Sequence, residues 1–473
     1  MSARSAAAML PVIEPLAPEI DAEQVFLKVC SRPHALFLDS ARRDPALGRY
    51  SFVTADPFDF IRLPAGSVDP LGVVQAKLNA SQSETVEGLP PFQGGAAGLV
   101  GYDLARSLER LPQPMVDEFQ LPALALGLYD VVSAFDHLER NAWIISQGFP
   151  ETDPERRAER ARRRLEQFQG WLQEPAAAQR PLDPSAALSR GALVEQFAVE
   201  SSPALTSNFS RAGYLSAIQR AIDYIYAGDI FQVNLAQRLL YPARGPAVDL
   251  YLRLRRRNPA TFAGFFDLGD FQIASASPER FLCLQAGEVE ARPIKGTRPR
   301  SARPEADLFA GDDLKGSEKD RAENVMIVDL LRNDLARVCL ADSVRVTQLC
   351  EVETYEYVQH LVSAVCGRLR PGLNAIDLVR AAFPGGSITG APKVRAMEII
   401  AELEPTARGA YCGALGYFGF DGSMDTNILI RTITAGRGWW QMPVGGGIVA
   451  QSVPEREYTE TWHKAEGLLR SLE

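Results

Sequence analysis

Two acidic pairs stand far apart in this chain, Asp320 with Glu323 in SEKDRAEN and Glu457 with Glu460 in EREYTETWHKAE. Each pair is spaced i, i+3, which on a helix projects both carboxylates from one side. Two such turns facing each other across a cleft would make an oxygen-rich site for Mg²⁺, which takes carboxylates and completes its shell with water and substrate oxygens. Spacing alone fits ordinary exposed helix acids at least as well. A second constellation is the glycine-rich run Phe383-Pro-Gly-Gly-Ser-Ile-Thr-Gly-Ala-Pro-Lys393. Gly385, Gly386 and Gly390, with Ser387 among them, permit close backbone approach and leave amide N–H groups to hold an anion, while Pro392 suits the first turn of a helix. A tight turn before a helix would read the same way, and the GxxxxGK[ST] order of a Walker loop is missing. Third, Lys295 and Thr297 lie in Pro293-Ile-Lys-Gly-Thr297, between a strand and a glycine turn. Such a lysine is ordinarily surface decoration, but desolvated or set beside other cations its neutral amine becomes a nucleophile. Gly445, Gly446 and Gly447 form another backbone-donor turn shortly before the second acidic segment.

The elements that must position these groups are partly readable. Ser210 caps a helix whose apolar residues Tyr214, Ile218, Ile222 and Ile225 form one stripe, with Gly228 as its stop. Phe231 to Leu235 alternates apolar and polar as a half-buried strand does, setting Gln232 opposite Phe231 and Val233. Further strands are expected at 35–38, 50–54, 272–276 and 288–292. A long helix is expected from about Ser317 to Val338, with Val328, Leu331, Leu335 and Val338 as its buried stripe and an acidic start that suits the helix dipole. Val394, Met397 and Ile400 mark a helix after Pro392. Strands and helices without a regular βαβ beat favour an α+β fold. The Pro- and Ala-rich stretch after Leu172 divides the chain into an N-terminal region (1–172), a connection (173–205) and a catalytic region (206–473), with no internal repeat.

Composition excludes several classes. With 46% hydrophobic and 23% charged residues the chain is globular, and its net charge of −9 argues against nucleic acid as a partner. The arginine-rich 155–164 segment mixes with glutamate at helical spacing and reads as a solvated helix face. No run approaches the ~20 apolar residues of a membrane span, so no membrane partner and a cytoplasmic location are expected. Six scattered cysteines suggest buried thiols, neither a disulfide framework nor a zinc site. An acidic protein that binds an anion must concentrate positive charge in its cleft.

IFQVNLAQR, SASPERF, RPIKGTRPR, DRAENVMIVDLLRNDLARV, VQHLVS, FPGGSITGAPK, GYFGF and GGGIVAQSVPEREYTETWHKA, in this order, resemble the chorismate-utilising family of anthranilate synthase component I, aminodeoxychorismate synthase component I, and the isochorismate and salicylate synthases. LFLDS and GRYSFVTADPF extend the likeness, more loosely, to the N-terminal region. The resemblance implies an anthranilate synthase component I-like fold of large, mostly antiparallel sheets packed together with helices outside. It further implies that Glu323 and Glu460 bind Mg²⁺ with Asp320 and Glu457 in support. Arg431, Tyr411, Lys464 and the backbone of Gly446 and Gly447 would hold substrate carboxylates, with Thr297, Gly386 and Ser387 also contacting substrate. His360 matches the family's active-site histidine, and Glu279 in SASPE the acid that protonates the departing 4-hydroxyl.

Two positions separate the branches. Isochorismate and salicylate synthases place a water-activating lysine where this chain has Gln232, so ammonia is the expected nucleophile. Anthranilate synthases read PIAGT, whereas this chain shares PIKGT with the aminodeoxychorismate synthases. Lys295 is then expected to attack C2 of chorismate before ammonia enters at C4, giving 4-amino-4-deoxychorismate for p-aminobenzoate and folate; anthranilate formation, or a non-catalytic scaffold role, is the alternative. No cysteine sits in a nucleophile-elbow context, so a separate glutamine amidotransferase subunit is the expected ammonia source, and no fused lyase is expected to finish p-aminobenzoate. Ser40, Arg49, Tyr50 and Ser51 resemble the family's tryptophan pocket; an ordinary strand pair would read alike.

Overall fold

The computed structural model describes residues 11–45, 47–175, 186–199, 202–299, 311–354 and 358–472, with the backbone alone at 297–299, 354 and 358. Helix α1 (Arg211–Tyr226) opens where the Ser210 hydroxyl accepts from the Gly213 amide at 3.0 Å and buries Tyr214, Ile218 and Ile222. Helix α2 (Glu318–Ala336) is capped by Ser317 through the Asp320 amide at 3.2 Å, and its stripe Val328, Leu331 and Leu335 is buried. Helix α3 (Lys393–Leu403) follows Pro392, and helix α4 (Pro454–Leu469) starts on a proline with Glu455 and Glu457 in its first turn. Met397 and Ile400 of α3 are buried as their spacing requires, but Val394 is 38% exposed.

Two large sheets carry the molecule, of thirteen and ten strands among the described residues, with every pairing antiparallel. Four strands matter for the site: β1 (Gln232–Pro242) and β4 (Trp439–Ile448) are neighbours in the larger sheet, and β2 (Ile294–Pro299) and β3 (Val358–Arg368) are neighbours in the smaller. Phe52, Phe266 and Ile273 from the larger sheet and Leu99, Leu415 and Tyr417 from the smaller share one buried cluster between the sheets. Each such side chain contributes on the order of 1.5–3 kcal/mol by leaving water. The outer face of the larger sheet is covered by Ala22–Val29, Pro154–Gln173, Ala247–Arg257 and α4; that of the smaller by Pro70–Asn79, α2 and Ala375–Ala382. This is the α+β arrangement of packed antiparallel sheets with helices outside that the sequence led us to expect.

Three features differ from the sequence reading. Strands from both sides of the 173–205 connection pair with each other: Leu36–Asp39 lies beside Phe262–Asp267, and Gly95–Val100 beside Ala414–Gly419. The connection itself holds the strand Phe197–Val199 and the start of Ser202–Ser207. The alternation at 231–235 is not a solvent boundary: Phe231 is 72% exposed, while Gln232 and Val233 are both fully buried, because β1 is an interior strand covered on both faces. The arginines of Pro154–Gln173 are not only solvated, since Arg164 bonds Asp56 and Asp130 and Arg157 bonds the Gln147 carbonyl. Among the described residues no helix is long and apolar enough to cross a membrane. All six cysteines are free, with Cys30, Cys339, Cys350 and Cys412 buried and Cys283 and Cys366 partly so.

Candidate active site

The two acidic segments meet over a floor of glycines. In the β1–β4 register Asn234 faces Gly447 and Leu235 faces Gly446. A Cβ on Gly446 would stand 3.3 Å from Lys464 Nζ, 3.7 Å from Glu460 Oε1 and 3.8 Å from Glu457 Oε2; one on Gly447 would stand 2.6 Å from Gln232 Nε2 and 3.6 Å from Glu323 Oε2. Helix α2 thus delivers Glu323, and helix α4 Glu457 and Glu460, to neighbouring positions on one strand, where only glycine leaves room. Asp320 faces elsewhere, toward Gly296, where a Cβ would lie 3.1 Å from its Cγ.

Lysines interleave with these carboxylates. Lys464 Nζ lies 2.8 Å from Glu460 Oε1 and donates to the Gly445 carbonyl at 2.9 Å. Lys319 donates to Glu457 Oε1 at 2.9 Å, which also accepts from the Ser452 hydroxyl at 2.6 Å, and Lys295 Nζ stands 3.9 Å from Glu323 Oε2. Burial raises the Glu323 carboxyl above its ordinary range against the pull of Lys295 and Lys319. Burial also works against ionised Glu460, but Lys464, Lys319 and Lys295 outweigh it and bring that carboxyl below its ordinary range. No group of three or more His, Cys, Asp or Glu side chains gathers in metal-binding geometry among the described residues. The all-oxygen donors Glu323 and Glu460, with Glu457 beside them, nevertheless fit Mg²⁺, which binds through one or two carboxylates and keeps water and substrate oxygens for the rest.

The second half of the site hangs on β2. Gly296 takes a left-handed φ of 71°, the β2–β3 register slips between Lys295 and Thr297, and the resulting bulge turns the Lys295 side chain. Its Nζ donates to the Ser387 carbonyl at 3.2 Å, and the Ser387 hydroxyl donates to Glu279 Oε1 at 2.7 Å. Glu279 sits in the turn between Phe271–Ser277 and Arg280–Gln285, only 3% exposed. Burial pushes its carboxyl up to about 7, against the Ser387 hydrogen bond and the Lys295 charge. His360 on β3 is buried and held down to about 4, by burial first and then by the Arg431 charge, so it is neutral at pH 7. Arg431 adopts a φ of 52° ahead of Thr432–Gly436; burial pulls its guanidinium below its ordinary value while Tyr411 and Glu460 favour the charge. Thr297 is opposite His360 in the register, and its side chain lies outside the described residues.

The glycine-rich loop is a 3-10 turn, Gly386–Ile388, and the close approach its glycines allow is to the protein itself. A Cβ on Gly386 would stand 2.4 Å from Leu330 of α2, and one on Gly390 would stand 2.1 Å from the Gln232 carbonyl. The loop therefore seats Ser387 against α2. Lys319 escaped the sequence reading, although it stands one turn ahead of Glu323. So did the burial of Gln232, whose Oε1 and Nε2 stand beside Gly447 without a hydrogen-bond partner from the described protein groups.

Away from this site, Ser40, Arg49 and Tyr50 line a cavity of about 500 Å³ between the sheets, with Asp39, Arg280 and Asp425 also on its wall. Ser51 is not on that wall; its hydroxyl accepts from the Ser40 amide at 3.0 Å.

The chorismate binding enzyme family matches residues 36–470. Aminodeoxychorismate synthase component 1 of Klebsiella aerogenes is 41% identical over 96% of both chains, and that of Escherichia coli K12 is 40% identical over 96% of both. Anthranilate synthase component 1 of Pseudomonas aeruginosa is 38% identical over 95% of this chain and 92% of its own. Among solved structures, anthranilate synthase component I of Streptococcus pneumoniae superposes with a TM-score of 0.76 at 33% identity, covering 90% of this chain and 93% of its own. MenF, the menaquinone-specific isochorismate synthase of Escherichia coli, shares the fold with a TM-score of 0.72 at 18% identity, covering 99% and 97%.

Proposed function

The chain belongs to the chorismate binding enzyme family, and from that premise we propose that it is a Mg²⁺-dependent aminodeoxychorismate synthase that aminates chorismate to 4-amino-4-deoxychorismate. The observation that carries this reading is the place of Lys295: its amine lies between the Glu323 carboxylate and the Ser387–Glu279 pair, so one nitrogen is shared by both halves of the site. Glu323 and Glu460, with Glu457 beside them, would hold Mg²⁺, which would supply positive charge for the substrate carboxylate. Arg431, Tyr411 and Lys464 orient the substrate's anionic groups. Glu279, protonated in a good fraction near pH 7, gives its proton to the departing 4-hydroxyl, which leaves as water. The Lys295 amine forms a bond to C2 as the C4–oxygen bond breaks and the ring's two double bonds shift. Ammonia then bonds to C4, the double bond shifts back and the C2–lysine bond breaks, so the enolpyruvyl group is retained. Neutral His360 beside Arg431 cannot add a second positive charge there and serves as a hydrogen-bonding wall.

Ammonia is supplied by a glutamine amidotransferase subunit in this reading, consistent with relatives named as a first component. The test is mass spectrometry of the product from purified protein, chorismate, Mg²⁺ and ammonium, with and without an aminodeoxychorismate lyase. Aminodeoxychorismate, turned to p-aminobenzoate by the lyase, is the expected result, and anthranilate overturns the branch assignment. For the second cavity, we propose that tryptophan occupies the space beside Ser40, Arg49 and Tyr50, the volume and mixed polar wall being its support. Tryptophan should raise the melting temperature of the chain, and an unmoved transition at millimolar ligand refutes it.

A further inference from the structure

The loop that holds the acid and amine and the strand beneath the carboxylates are joined by an ion pair that lies outside both. Glu404 and Arg408, 5% and 7% exposed, lie just beyond α3. The guanidinium grips the Glu404 carboxylate through Nε at 2.9 Å and Nη2 at 2.6 Å. Its remaining donors reach two carbonyls, Ile388 at 3.0 Å and Asn234 at 2.8 Å. Ile388 follows Ser387, whose hydroxyl and carbonyl hold Glu279 and Lys295. Asn234 stands opposite Gly447 on the floor beneath the carboxylates. Glu404 Oε1 also accepts from the Ala236 amide on the same floor strand at 2.9 Å, and the Asn234 amide donates to the Thr389 carbonyl at 2.7 Å. One planar cation thus reads the distance between the loop that holds the acid and the strand that lies beside the metal-side glycines. Lysine, a point charge without the fork, cannot span both carbonyls and both carboxylate oxygens.

We infer that the Glu404–Arg408 pair is a positioning device that sets the spacing between the Ser387 loop and the Gly446–Gly447 floor, and thereby aligns the acid and amine with the substrate's carboxylate end. Neither side chain is placed in contact with substrate. The kinetic part of this inference rests on the proposed chorismate reaction; the positional part does not.

Removing one partner leaves a buried charge unpaired, which destabilises strongly and would confuse the result. The test therefore uses Glu404→Gln with Arg408→Met, which removes both charges at similar volume and keeps an amide oxygen for Ala236, alongside Arg408→Lys, which keeps the cation. In both, amide hydrogen exchange across 385–390 should quicken at least about tenfold while the Val131–Asp136 and Asn141–Ser146 strands exchange as in the unmodified chain. Misplacement on the ångström scale should lower kcat/KM for chorismate by on the order of 10²-fold, with a melting transition in the double variant close to that of the unmodified chain. Unchanged loop exchange in a folded variant overturns the device. So does an activity that recovers in step with stability, which is what a merely structural ion pair would give. If the unmodified chain consumes no chorismate, the reaction reading fails, and loop exchange still decides the positional claim.

Discussion

The hydrogen bond from Ser387 to Glu279 gives the acid a handle that does not disturb the nucleophile. Ser387→Ala deletes the hydroxyl at 2.7 Å and leaves the carbonyl that receives Lys295. The hydroxyl stabilises the carboxylate over the carboxylic acid, so its loss must raise a carboxyl already near 7. A hydrogen bond to a charged group contributes about 1.5–3 kcal/mol, and about 1.4 kcal/mol corresponds to one pH unit, so the displacement is roughly one to two units upward. In the proposed reaction Glu279 acts in its protonated form, so activity should fall as pH rises through its pKa; in the variant that fall should move to higher pH. The assay is kcat/KM for chorismate against pH at a fixed concentration of free ammonia, since kcat/KM reports ionisations of the free enzyme. Below the fall, the variant should keep a rate within about tenfold of the original, the usual scale of one lost orienting contact. An alkaline limb that stays in place or moves to lower pH would mean that the limb belongs to another group and that Glu279 is not the acid.

Lys295→Ala should abolish aminodeoxychorismate formation in the mass-spectrometric assay and redirect any residual turnover toward anthranilate; retained product at the original rate sinks the covalent step. Glu460→Gln should lower turnover by roughly 10²-fold or more and weaken Mg²⁺ binding by calorimetry, whereas unchanged metal affinity refutes its place in the donor set. His360, held down from 6.5 to about 4, contributes stability that is complete above 6.5 and is lost as pH falls to about 4. That loss is roughly 3 kcal/mol. Glu279, raised from 4.5 to about 7, loses stability in the opposite direction as pH rises through that window, and His137 is held down to about 4 like His360. The difference between the unmodified chain and His360→Gln in chemical denaturation from pH 7 to pH 4 therefore isolates the His360 share; parallel curves would refute its neutral burial.

Local features of the fold were legible wherever chemistry is local. Ser210 and Ser317 cap the helices they announce, and the stripe on α2 is the buried one. The acids of α2 and α4 lie on helices as their spacing implies, but only the β1–β4 register shows that they converge, because that convergence depends on glycines nearly as far along the chain as α4 itself. Asp320 shows the limit of the i, i+3 argument: it shares a helix side with Glu323, yet it lies against Gly296 while Glu323 lies against Gly447. The mixing of N- and C-terminal strands in both sheets was beyond reach, because pairings such as Leu38 with Gly264 leave no trace in local periodicity. Nothing in the i, i+4 spacing of Glu404 and Arg408 distinguishes them from an exposed helix pair; only burial makes them a joint between the Ser387 loop and β1.

The balance of charge at the site ties these parts together. Around the site, Lys295, Lys319, Lys464 and Arg431 accompany Glu323, Glu457 and Glu460 at the glycine floor and Asp320 beside Gly296, four cations for four acids. A site so balanced offers a dianion no net attraction, and the whole chain at −9 repels it. A neutral His360 adds nothing, and Glu279 avoids making matters worse only by keeping its proton. The lysines favour ionised carboxylates and hold them apart, which is the state a divalent ion requires, so in the proposed reaction the positive excess that draws the substrate would enter with Mg²⁺. Chorismate affinity measured by calorimetry should therefore fall steeply when Mg²⁺ is removed even where no turnover is possible, which is why the acids, the lysines and the glycines beneath them had to be assembled as one unit.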